Sequence, residues 1–237
     1  MSDDAIGAMV DSGIFNNATC DNGKHTQVAS DFQAQVKQFI EFEKRTWRIP
    51  GRHATGDGRS IFTVFFGIWD LLQYSLLDIE GAKHAIDNSV EELLHNLDLL
   101  VDHVGAPIEV VVPMLVDVTF LPRFSSKKDR SAPMFAQDQH QAVYLWTYWN
   151  MRLSQRASEW VKGDLFIPDF HGIVMDQVRA KQLYAGSITD ATGSGKQVPL
   201  FEEVEQPCLA SKTDANAHKL QAADTETCHD PSRFLFW

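Results

Sequence analysis

Cysteine is scarce in this 237-residue chain, with Cys20, Cys208 and Cys228 its only three. No two stand at CxxC spacing and none clusters with histidine, which argues against a structural zinc site. Positive charge is short as well: 21 Lys and Arg against 32 Asp and Glu leave a net charge of −11 with His neutral. A chain of that sign is repelled by phosphate backbones and anionic lipid, so neither nucleic acid nor a membrane surface is expected as a partner. Long apolar runs are missing too. Stretches such as Ile61–Leu72 are interrupted and fall well short of the roughly 20 residues a membrane span needs. Met1 opens onto Ser2-Asp3-Asp4-Ala5, without the basic and apolar regions of a secretory leader. The expectation is a cytoplasmic protein if Met1 is the native start, with Cys208 and Cys228 as free thiols. A bridge between them would belong to an oxidising compartment. Use of the sequon Asn17-Ala18-Thr19 would equally require secretion.

What is present is the balance of a folded protein: 44% hydrophobic and 22% charged residues, with fifteen Phe and six Trp to fill a core. The length and the absence of a long linker lead to the expectation of a single domain over residues 1–237. Residues 30–46 carry Phe32, Val36, Phe39 and Ile40 near helical spacing, behind Ser30 and Asp31 as caps. Ile61–Ile68 reads as a strand buried on both faces. A helix from about Gly81 to Val104 follows, striped by Ala85, Ile86, Val90, Leu93, Leu94, Leu97, Leu100 and Val101, and Gly105-Ala106-Pro107 stops it. Ile108–Val118 reads as a second buried strand, with Pro113 marking its end or a bulge. An aromatic helix over Gln137–Val161, an extended piece at Asp164–Ile167 and a helix over Gly172–Tyr184 come next. Residues 185–230 read mostly as loop before the apolar Arg233–Trp237. Strands alternating with helices imply an α/β fold with a mainly parallel sheet, whose ligands sit at the carboxyl ends of the strands.

The order of short motifs resembles that of the SGNH (GDSL-type) esterases and acylhydrolases. Phe65-Phe66-Gly67-Ile68-Trp69-Asp70 is similar to the family's strand-end FxGxND block, and Cys228-His229-Asp230-Pro231-Ser232-Arg233-Phe234-Leu235-Phe236-Trp237 resembles its C-x-x-P-x-x-Y/F-x-F-W run. Asp164-Leu165-Phe166 and Gly172–Tyr184 resemble the strand and helix between them. Ala5-Ile6-Gly7-Ala8-Met9-Val10-Asp11 stands where the family keeps its second block. The resemblance implies a three-layer sandwich, with a mainly parallel central sheet flanked by helices and its first strand missing. It carries over Gly67 and Gly7 as backbone oxyanion donors. The family's Ser block and its terminal Asp-x-x-His have no counterpart, and Trp69 replaces its oxyanion Asn. Either the chain is trimmed at both ends, as a piece of a secreted carbohydrate or lipid esterase, or it is a short member without the Ser-His-Asp triad. The short form implies a homodimer, because pairing with a second copy would cover the open sheet.

What the residues can do follows from their places. Asp70 closes an apolar strand and is a candidate general base; the plainer reading makes it a helix N-cap. Trp69 offers an indole N–H to a carbonyl oxygen, or packs. Asp117, Thr119 and Arg123 end the second strand, with Arg123 either pairing Asp117 or orienting a substrate carboxylate or enolate. Tyr74 is a further substrate-binding candidate, and Asp117 a second proton acceptor. His171 beside Asp169 is a weaker acid/base pair, and His84, His95 and His103 lie on a helix surface. The expected activity is acyl ester, thioester or lactone chemistry on a polyketide-like substrate, by hydrolysis or ring closure such as pyrone formation, with no cofactor and no metal. In ring closure the substrate's own hydroxyl or enol attacks, and the protein supplies proximity, a base and an oxyanion site. A non-catalytic binding or scaffold protein is the alternative.

Overall fold

The computed structural model describes residues 9–11, 13–14, 31–46, 60–105, 107–121, 135–211 and 225–236. Its α/β character agrees with the pattern of the sequence. The chain divides into two compact units: a sheet unit, Ala5–Leu115 with His140–Pro168, and a second unit, Met1–Asp4, Val116–Gln139 and Asp169–Trp237.

In the sheet unit, helix α1 (Phe32–Thr46) starts where Asp31 accepts the Ala34 N–H at 2.9 Å, and it buries Phe32 and Val36. Strands β1 (Ile61–Thr63), β2 (Ile108–Val111) and β3 (Gly163–Phe166) form a parallel sheet in that order, with Phe62 opposite Val110 and Val110 opposite Leu165. The short helix α2 (Ile68–Tyr74) and the long α3 (Ile79–Val104) connect β1 to β2. Helix α4 (Phe135–Glu159) precedes β3. Asp78 caps α3 by accepting the Gly81 N–H at 2.6 Å, and Gly105 ends it at φ 71. The buried stripe Ala82, Ala85, Ile86, Val90, Leu93, Leu94, Leu97 and Leu100 is the spine of the core, each leucine contributing about 1.5–3 kcal/mol.

Two strand expectations need correction. Ile61–Ile68 is not a strand buried on both faces: pairing covers Ile61–Thr63, Ile61 is 66% exposed, and Ile68 already belongs to α2. Among the described residues β1 is an edge strand, so its apolar residues do not all meet partners. Ile108–Val118 is likewise a strand only to Val111, because Pro113 has no N–H to donate. The Val112 and Met114 N–H groups still reach the carbonyls of Phe166 and Pro168.

Helix α4 is held to α3 by polar tips. Tyr148 and Arg152 both reach Asp87, Arg156 pairs with Glu91, and just beyond the helix the Trp160 Nε1–H donates to Asp98 at 2.8 Å. His103, expected on the surface, is half-buried with Nε2 3.3 Å from Glu43 Oε2. His84 and His95 are exposed.

Among its described residues the second unit contains helix α5 (Phe170–Ala185), capped by Asp169 through the Gly172 N–H, and four short strands. Strands β4 (Glu203–Pro207) and β7 (Phe234–Phe236) pair in parallel, while β5 (Leu209–Ser211) and β6 (Thr225–Thr227) pair antiparallel. The reading of residues 185–230 as loop therefore missed three strands, each only three to five residues long and without a clear alternation. The free-thiol expectation is also overturned, since Cys208 and Cys228 form a disulfide at the foot of the β5–β6 hairpin. The Cys228 N–H donates to the Cys208 carbonyl at 2.9 Å, and that antiparallel pairing brings the two side chains together. Among the described residues no helix is long and apolar enough to cross a membrane.

Candidate functional site

The end of β1 is shaped by one glycine. The Val64 N–H extends the ladder to the Val111 carbonyl at 2.9 Å, and the chain then turns at Gly67, whose φ is 117. That region is rarely open to residues with a Cβ. A Cβ there would also lie 2.5 Å from Trp149 Cζ2 and 2.7 Å from Leu115 Cδ1. The indole of Trp149 packs flush on the glycine, and its Nε1–H is buried with no hydrogen-bond partner. Gly67 occupies the N-cap position of α2, so Asp70 is not the cap: it sits in the first turn, with no exposed surface.

The Asp70 carboxylate reaches back along the chain. The Val10 N–H donates to it, 3.1 Å from Oδ1 and 3.3 Å from Oδ2. Val10 and Met9 are themselves buried, and the Met9 carbonyl accepts the Phe32 N–H at 3.0 Å. One turn along α2, Tyr74 is buried as well. Tyr74 Oη lies 2.7 Å from Ser89 Oγ on the buried face of α3. Burial is the main influence on Asp70 and pushes its pKa up from 3.8 to about 7, against the pull of the Val10 and Tyr74 donors; the charge of Asp11 adds to the rise. Burial, and after it the neighbouring Asp70 charge, raises the Tyr74 phenol as well, so it stays protonated and available as a donor.

Asp70 and Tyr74 thus come together in the sheet unit, with Gly67 against Trp149 and a half-buried Trp69 beside them. Ser89, Val10 and Trp149 complete the surroundings and were missed from the sequence. A hydroxyl among the apolar residues of the α3 stripe, at Ser89, was the available signal. Asp117 and Thr119 lie in the second unit, where Asp117 Oδ1 accepts the Thr119 N–H at 2.9 Å and caps the short 3-10 turn Val118–Phe120. The Asp117 N–H donates to His171 Nδ1 at 3.4 Å, while the Asp169 carboxylate is taken up by the Gly172 N–H. Gly7 and Arg123 lie outside the described residues.

Several aromatic residues of α4 make structural contacts. Trp149 is fully buried, the Trp146 Nε1–H donates to the Leu115 carbonyl at 2.6 Å, and Tyr144 stacks on Tyr148. Among the described residues no group of three or more His, Cys, Asp or Glu is placed to hold a metal ion. A shallow depression of about 450 Å³, lined by Val101, Asp102, Gly105, Pro107 and Lys162, lies at the amino ends of β2 and β3, away from Asp70. Comparison with protein-family models and with curated proteins finds no match to this chain.

Proposed function

We propose that this chain is an SGNH-related α/β protein that acts on acyl esters, thioesters or lactones of a polyketide-like substrate, by hydrolysis or by lactonising ring closure. Asp70 carries the reading. A carboxyl whose proton is held to about neutral pH, just past the carboxyl end of a strand in a parallel sheet, suits general-base work at physiological pH. In ring closure Asp70 takes the proton of the substrate's hydroxyl or enol as that oxygen attacks the acyl carbon. The proton then passes to the departing thiolate or alkoxide. The Gly67 backbone and the Trp69 indole supply the donors to the acyl oxygen in this reading. Access to Asp70 requires the Met9–Asp11 segment to move off the carboxylate it now covers.

A second reading is supported by the same contacts: a binding or scaffold protein in which Asp70 is a structural anchor. Its carboxylate is sealed from solvent and bonded to the Val10 N–H. Turnover of a panel of aryl esters, acyl thioesters and lactones by the intact chain and by Asp70→Asn separates the two. Turnover that falls at least a hundredfold in the variant supports the enzyme. Turnover unchanged in the variant removes Asp70 from the chemistry. Saturable binding without turnover in either protein selects the binding role.

A further inference from the structure

Strand β1 turns away at Gly67 while the chain of β2 runs on. Glu109 and Val111 face β1: the Glu109 N–H donates to the Ser60 carbonyl at 3.1 Å, and the Val111 carbonyl accepts the Val64 N–H at 2.9 Å. The residues between and beyond them face β3, where the Val112 and Met114 N–H groups reach the Phe166 and Pro168 carbonyls. By this alternation Leu115 faces the side that β1 has left. Leu115 is fully buried, so its N–H and carbonyl need partners. Helix α4 supplies them. The Leu115 N–H donates to Asn150 Oδ1 at 2.9 Å, and its carbonyl accepts from Asn150 Nδ2 at 3.0 Å and from Trp146 Nε1 at 2.6 Å. One side-chain amide thus offers the same donor and acceptor as a neighbouring strand.

We infer that Asn150 is a positioning residue, a stand-in strand partner that fixes Leu115 as a wall of the Gly67 turn and so sets the place of Asp70. The wall and the turn are in close contact. A Cβ on Gly67 would lie 2.7 Å from Leu115 Cδ1 and 2.5 Å from Trp149 Cζ2. Trp149 adjoins Asn150 in α4, and Trp146 stands one turn before it, so one stretch of helix holds Leu115 and closes the turn. Gly67 is the N-cap of α2, and Asp70 follows in its first turn. In a close-packed interior a shift of Leu115 is passed on to the turn and to the carboxyl it carries. Packing alone needs only an apolar side chain at position 150. An amide that meets both polar groups of one residue also fixes where that residue sits along the strand. The inference rests on the reading of Asp70 as the proton acceptor and adds a residue that touches no substrate.

The test compares the intact chain with Asn150→Ala and with Thr147→Ala, an exposed position on the same helix. The readouts are ¹H–¹⁵N NMR and turnover of the panel of aryl esters, acyl thioesters and lactones. Asn150→Ala should speed exchange of the Leu115 amide by about tenfold or more and move the Gly67 amide resonance. It should also lower kcat by about tenfold or more while KM stays within about twofold. Thr147→Ala should do none of these. Unchanged Leu115 exchange and an unmoved Gly67 resonance in Asn150→Ala overturn the inference, as does an equal response to Thr147→Ala. If Asn150→Ala does not fold, Asn150→Asp, which keeps the acceptor and removes the donor, decides by the Gly67 resonance and kcat. Turnover lost in Asp70→Asn but unchanged in the Asn150 variants overturns the positioning role and leaves the enzyme reading standing. No turnover by the intact chain removes the enzyme reading, and Leu115 exchange then decides whether Asn150 is a strand partner.

Discussion

The backbone N–H of Val10 and the carboxylate of Asp70, 60 residues apart in the chain, meet at 3.1 Å in the interior of the sheet unit. This contact covers the carboxyl that the proposed chemistry uses. It also makes the strength of the sheet unit depend on the charge of one buried group.

Stability should fall as pH rises. The folded state holds the Asp70 proton to about pH 7 against 3.8 for the ordinary group, so folding takes up a proton between those values. The stabilising contribution is complete below about pH 4 and lost as pH rises through about 7. Thermal melts from pH 4 to 8 should show a declining Tm for the native chain, and Asp70→Asn should flatten that part of the slope. An equal decline in both proteins would remove Asp70 as its cause.

Two glycines at positive φ should respond very differently to alanine. At Gly105 φ is 71 and nothing lies within 4 Å of an added Cβ, so only left-handed strain applies, about 1 kcal/mol. At Gly67 the Cβ meets Trp149 and Leu115 as well, and overpacking brings the total to about 2–5 kcal/mol. Urea unfolding of Gly67→Ala and Gly105→Ala measures the difference. Similar losses would contradict the packing of Trp149 on Gly67.

The helices could be read from the sequence because their signals are local and repeated. The α3 stripe and the Gly105 stop needed only neighbours in sequence. The end of β1 was harder, since the unbroken apolar run Ile61–Ile68 conceals both the edge position of the strand and the turn at Gly67. Asp70 was legible as a chemical candidate because a carboxyl follows apolar residues. Its surroundings were not, because Val10 reaches it, and Ser89 reaches Tyr74, only through the tertiary fold. The pairing of Cys208 with Cys228 was hidden for a similar reason, as it depends on a hairpin whose strands are three residues each.

Trp149 offers a test of the unpartnered indole. Trp149→Ala should cost about 3–5 kcal/mol by leaving a cavity under Gly67. Trp149→Phe keeps most of the packing and removes a buried donor that has no acceptor, so its cost should stay within about 1 kcal/mol. A large loss for phenylalanine in denaturant melts would show that the N–H is satisfied in solution.

The Cys208–Cys228 bridge should contribute about 3 kcal/mol for a sequence separation of 20. Alkylation of unreduced, denatured protein followed by mass spectrometry should label no more than one of the three cysteines. Labelling of all three would show the thiols to be free.

The same bridge alters how the chain comes apart. A protease that cuts once between Cys208 and Cys228 leaves two fragments still covalently joined. Such nicked protein would run at full length on a denaturing gel until a reductant is added. The C-terminal piece, carrying β7, would stay tethered to the strand it pairs with.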